Sequence, residues 1–215
     1  MNNFDKIADM INGYLLQYDM SINILSDLIE TSKPDDEKTK AKKPPVYKGK
    51  RNLTVISMDD ISRCYRKIKK PFEKDDNCIN TPDAFLINSN NEWYFIEFKD
   101  SEMAGNSLKN NLIKKAYSNW YMMMDMLYEM KDAEKIYTDF NFNDPVKFAQ
   151  KNVTYIIVCT LEKNSKLYEL IKGKELSNSR HTPEFMSRLK DYLFKDAYIY
   201  TEDFFERKFV NDFKF

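Results

Sequence analysis

Three side chains able to do phosphate chemistry fall close together in Thr81-Pro82-Asp83-Ala84-Phe85-Leu86-Ile87-Asn88 and, after a polar break, Glu92-Trp93-Tyr94-Phe95-Ile96-Glu97-Phe98-Lys99. Each half is a short run of aromatic and β-branched residues. The break, Asn88-Ser89-Asn90-Asn91, consists of residues that favour turns, so the pattern predicts a β-hairpin. A turn centred on Asn90 sets Asp83 opposite Glu97, with Cβ atoms about 5 Å apart. Alternation along a strand then turns Glu97 and Lys99 one way and Tyr94, Ile96 and Phe98 the other. Two ionised carboxylates at that distance repel by roughly 3 kcal/mol at an effective dielectric of 20. A divalent cation is the natural compensator, and Lys99 a partial one. Hard cations such as Mg²⁺ take one or two carboxylates together with water and phosphate oxygens. Bound there, such an ion polarises a phosphoryl oxygen and lowers the pKa of a coordinated water. Lys99 would orient that water or stabilise the charge developing on phosphorus.

Pro82-Asp83, thirteen residues, then Glu97-Phe98-Lys99 resembles the PD-(D/E)XK nuclease superfamily. The resemblance implies a Mg²⁺- or Mn²⁺-dependent phosphodiesterase, endonuclease or exonuclease, acting on nucleic acid, DNA in preference to RNA. It implies Asp83 and Glu97 as metal ligands, the backbone carbonyl of Phe98 as a further one, and Lys99 as the catalytic lysine. It also implies an α/β fold, with a mixed central β-sheet flanked by helices and a restriction-endonuclease-like core over residues 52–210. The family commonly carries a further acid on a helix before the hairpin; Glu30, Asp59 and Asp60 are candidates, and spacing does not choose among them. Cutting both strands of a duplex needs two sites, which a homodimer would supply. Two other readings stand beside this one. A module of the same fold can act only by binding DNA or a protein, and Glu97 with Lys99 can be an ion pair on a solvated sheet face.

The elements that must position these residues follow from the rest of the chain. A length of 215 residues suits one domain with a substantial core, and 42% hydrophobic with 32% charged residues is a soluble globular balance. No apolar run approaches the ~20 residues of a membrane span, and Met-Asn-Asn-Phe-Asp-Lys lacks signal-peptide features. The expectation is a cytoplasmic protein with no membrane partner. Three cysteines without metal-ligand spacing are expected as free thiols. Four isolated glycines exclude a glycine-rich phosphate loop, and the single His181, ahead of a helix start at Thr182-Pro183, excludes a multi-histidine site. Net charge is zero, so contact with nucleic acid must come from local patches.

Phe4, Ile7, Ile11, Tyr14, Tyr18, Ile22, Leu25 and Leu28 step by threes and fours, predicting an N-terminal helix over 3–30 outside the core. Residues 31–51, rich in Lys, Asp, Glu and Pro, predict an exposed loop. A helix from about Ser57 to Lys70 would carry Arg63, Arg66, Lys67 and Lys70 on one face, either for phosphates or for solubility. A long helix over 106–129 follows the hairpin, with Lys109, Lys114 and Lys115 early in it, near the exit from the motif strand. These three suit a scissile or adjacent phosphate, or simply a solvated face. Val153 to Thr160 reads as a buried strand that the crossover makes parallel to a hairpin strand. Helices over 161–173 and 183–195, a strand at 197–200 and a short helix from Thr201 complete the pattern.

Overall fold

The computed structural model describes residues 1–34, 44–69, 79–130, 140, 142, 144–177 and 179–215. Its frame is one six-stranded mixed sheet in sequence order: β1 (Leu25–Asp27), β2 (Thr54–Ser57), β3 (Ala84–Ile87), β4 (Trp93–Lys99), β5 (Val153–Cys159) and β6 (Asp196–Thr201). Neighbouring strands from β1 to β4 are antiparallel, while β4, β5 and β6 run parallel to one another. The helices are α1 (Asn3–Leu16), α2 (Leu28–Thr31), α3 (Met58–Lys69), α4 (Asn106–Glu129), α5 (Pro145–Asn152), α6 (Ser165–Leu176) and α7 (Glu202–Phe205). Among the described residues none is long and apolar enough to cross a membrane.

Period-two alternation in β4 sorts the core into two layers. Trp93 stacks edge-on against Trp120 of α4 and Phe148 of α5, and Phe95 meets Phe194, so this face looks toward the crossover helix. Tyr94 meets Phe209 and Phe213, and Phe98 meets Phe205, so the opposite face is covered by the C-terminal segment. Glu97 and Lys99 have the parity of Trp93 and Phe95 and therefore belong to the α4 face. Strand β5, Val-Thr-Tyr-Ile-Ile-Val-Cys, is buried along its whole length, as a parallel strand covered on both sides must be.

The N-terminal helix ends at Leu16 instead of running to residue 30. Asp19 adopts φ 57°, a left-handed geometry that breaks a helix, and the chain then enters β1. Leu25 and Leu28 continue the helical spacing while sitting in an edge strand and in α2, and Leu25 lies opposite Ile56. The N-terminal region is thus part of the sheet. Nor is the stretch after it wholly exposed: Val46 and Tyr47 are buried, with the Tyr47 hydroxyl donating to the Arg51 carbonyl at 2.6 Å. Lys38, Lys40, Lys42, Lys43, Lys70 and Cys78 lie outside the described residues. The helix expected over 183–195 is a 3₁₀ turn (Glu184–Met186) and a π turn (Leu189–Leu193). Thr182 does not cap it, because its hydroxyl donates to the Ala197 carbonyl in β6. Cys64 and Cys159 are buried free thiols.

Candidate active site

The hairpin forms in the expected register. Ala84 pairs with Ile96 and Phe85 with Phe95, which leaves Asp83, just ahead of β3, across from Glu97. Asn91 at φ 59° closes the turn, and the Asn88 side-chain oxygen accepts the N–H groups of Asn90 and Glu92. Asp83 is fixed from three sides. Its N–H donates to the Ile96 carbonyl at 3.0 Å, and its carbonyl accepts from Met58 at the start of α3 at 3.2 Å. Its Oδ2 accepts the Phe98 N–H at 2.5 Å. The contact thus seen at Phe98 is made by its amide.

Glu97 is 0% exposed. Lys99 Nζ lies 2.6 Å from its Oε1, and Lys115 Nζ, from α4, lies 2.8 Å from Oε1 and 3.0 Å from Oε2. The same ammonium is 3.9 Å from Asp83 Oδ1. Compensation of the two carboxylates therefore comes from two lysines, one of them outside the hairpin. It is incomplete at Asp83, where burial, and then the charge of Glu97, push the carboxyl well above the usual carboxylate range. Burial alone would lower the Lys115 ammonium; the charges of Glu97 and Asp83 outweigh that and raise it, so it stays protonated at neutral pH. Beneath them Tyr155, its phenol raised by burial and then by Glu97 and Asp83, donates to the Leu112 carbonyl at 3.3 Å and forms a neutral floor.

Asp83, Phe98, Lys99 and Lys115 line a cleft of ≈ 510 Å³, with walls from β1 and α2, from the start of α3, and from Asp100 and Ser101, while Glu97 and Tyr155 are buried behind it. All three candidates for the further acid, Glu30, Asp59 and Asp60, reach this cleft. Glu30 is paired with Lys33 and Asp60 with Arg63. The charge of Asp59 raises both the Asp83 carboxyl and the Lys115 ammonium, and its Oδ1 accepts from the Thr81 hydroxyl at 3.0 Å. Among the described residues no three acidic, histidine or cysteine side chains converge as a metal cage. The donor set is nevertheless all oxygen, and two opposed carboxylates beside an open cleft suit a hard cation that draws its remaining ligands from water and substrate.

The basic residues scatter. Arg63 stands at the cleft rim, 2.5 Å from Asp60, and Lys67 is exposed on α3. Arg66 leaves the expected basic face: it is only 6% exposed. Tyr65 and Lys69 of the same helix are bonded to Asp125 of α4. Lys114 is exposed, while Lys109 lines a separate cleft of ≈ 800 Å³ between α4 and residues 183–188. Lys115 was legible as a cation near the motif strand but not as the partner of Glu97. No family model matches this chain, no curated protein matches it, and no solved structure matches it.

Proposed function

We propose that the protein is a metal-dependent phosphodiesterase of the PD-(D/E)XK type, cutting nucleic acid, DNA in preference to RNA. The observation that carries this reading is the meeting of Asp83, Glu97 and Lys99, with Asp83 and Lys99 lining an open cleft, Glu97 buried behind them and the Asp83 carboxyl raised. A carboxyl pushed up by burial and a neighbouring carboxylate, at the wall of a cleft, is a mark of a working site. An antiparallel hairpin followed by a crossover helix and a parallel strand agrees with a restriction-endonuclease-like core. Preference for DNA rests on that family likeness alone.

Asp83 and Glu97 would hold Mg²⁺ or Mn²⁺, with the Phe98 carbonyl as a further ligand by analogy, and the ion would supply Lewis acidity and a water of lowered pKa. The chain's own part is positioning. The strand fixes Glu97, the Phe98 N–H fixes Asp83, and Lys99 stands at the cleft wall where charge gathers on a phosphoryl oxygen. Arg63 at the rim would meet a neighbouring phosphate. The test is cleavage of supercoiled plasmid, single-stranded DNA and RNA with Mg²⁺, Mn²⁺ or EDTA. Metal-dependent cutting lost in Glu97→Ala and Lys99→Ala is the expected result. Absence of cutting by folded wild-type protein on every substrate would sink the reading.

One observation favours a second reading, a silent module that only binds. Glu97 is already neutralised by two ammoniums. A ligand that binds the native state alone raises the melting temperature, so a silent site predicts no Mn²⁺-dependent shift in wild type and no difference in Asp83→Ala.

A further inference from the structure

Both oxygens of the buried Glu97 carboxylate are engaged by an ammonium that comes from another element and also faces Asp83. Lys99 already contacts Glu97 from two residues along the same strand. We infer that Lys115 is a displaceable stand-in for the divalent ion: it holds the two carboxylates together in the metal-free protein and turns to the substrate's phosphate when the ion arrives. The inference rests on the reading of the site as metal-binding.

Charge is the first argument. Asp83 and Glu97 face Lys99 and Lys115, two against two, and Asp59 adds one more negative charge nearby. A divalent ion added to that set leaves an excess of positive charge at a buried point, where like charges are costly. An ammonium that leaves the carboxylates and meets a phosphate removes the excess. The second argument is freedom to move. Lys115 sits on a flexible four-carbon stem, is 13% exposed and lines the cleft, so a path to solvent and substrate exists. The third lies one turn further along the same face of α4. Asn119 is fully buried, and neither of its amide atoms has a hydrogen-bond partner among the described residues. An amide left unpaired one helical turn from Lys115 is a polar group that packing of this otherwise apolar face does not call for.

The experiment is a calorimetric titration of Mn²⁺ into wild type, Lys115→Gln, Lys115→Arg and Glu97→Gln, repeated as binding of a DNA oligonucleotide with Ca²⁺ or EDTA. Lys115→Gln is expected to bind Mn²⁺ about tenfold more tightly than wild type, opposite in direction to the 10–100-fold losses usual when a group supporting a metal site is removed. Its DNA affinity is expected to lose most of the gain that Ca²⁺ gives wild type. Lys115→Arg, whose planar fork grips a carboxylate more firmly, is expected to bind Mn²⁺ several-fold more weakly. A Lys115→Gln protein that is folded but binds Mn²⁺ equally or less tightly overturns the inference. If that variant fails to fold, Lys115→Arg decides: weaker Mn²⁺ binding upholds it, and unchanged or tighter binding overturns it. Mn²⁺ bound by wild type and lost in Glu97→Gln, with no effect at position 115, leaves the metal reading standing and removes only this inference. No Mn²⁺ binding in wild type or either position-115 variant removes both.

Discussion

The two halves of α4 carry ion clusters of opposite character. Near its C-terminal end Lys69 lies 2.6 Å from Asp125 and 2.5 Å from Glu129, while the hydroxyls of Tyr65 and Tyr14 donate to Asp125 and Glu129 respectively. That cluster ties α1, α3 and α4 together. Burial alone would raise the Asp125 carboxyl, but its bonds to Lys69 and Tyr65 outweigh this and hold it below the usual range. Toward the N-terminal end, Lys115 meets Glu97 and Asp83, and there the carboxyl of Asp83 is raised. One helix thus serves a network in which each acid has its donors and another in which an acid is left in excess. The first arrangement stabilises a fold; the second is suited to receiving a cation and a phosphate.

The sharpest break between the two clusters is catalytic. Glu97→Ala is expected to lower the initial rate of Mn²⁺-dependent plasmid nicking by about 10²–10³-fold, whereas Asp125→Ala should leave it within about twofold of wild type. Equal losses in both variants would erase the distinction. Next comes stability: in a denaturant melt Asp125→Ala should cost about 1–3 kcal/mol, since it strands the Tyr65 hydroxyl and leaves the Lys69 ammonium with Glu129 alone.

A pH series separates the clusters by sign. Asp125 has a depressed folded pKa, so its contribution is present above the unfolded value of about 4 and is lost as pH falls through the folded one. Asp83 has a raised folded pKa, so its contribution is present below about 4 and is lost as pH rises through the folded value. In EDTA, Asp125→Asn should therefore lower the melting temperature near neutral pH and lose that effect in acid. Asp83→Asn should raise it at neutral and alkaline pH, with the gain shrinking toward about pH 4. The same sign for both would show that Asp83 is as well satisfied as Asp125. The smallest effect is expected at Arg63, whose exposed pair with Asp60 contributes little. Arg63→Ala should change stability by less than about 0.5 kcal/mol and reduce the slope of log affinity for DNA against log salt by about 1.

Much of this site is visible in the amino-acid order because its first three members are local. The turn at Asn88 to Asn91 and the alternation in Trp93 to Lys99 fix the register, and with it the opposition of Asp83 and Glu97. Helix α4 shows its bounds because its apolar spacing is long and regular. The errors arise where spacing is shared by different structures. Ile22, Leu25 and Leu28 keep a helical interval into a three-residue edge strand, too short for its own period to show. Arg66 falls on a polar stripe but is buried, and burial by other elements is something no count along α3 contains.

The sequence by itself determined a mixed α/β pattern, a hairpin, and an acid, an acid and a lysine brought together by turn and pleat, all interactions spanning fewer than about twenty residues. Only the tertiary structure decided that the α4 face of β4 is the one carrying Glu97, that Lys115 closes on that carboxylate, and that Glu30, Asp59 and Asp60 share the cleft with Asp83. Those outcomes depend on which side of the sheet the crossover helix covers and how α3 enters beside it. Such choices are set by the handedness of the crossover and the packing of whole elements, quantities with no signature in the spacing of any one segment.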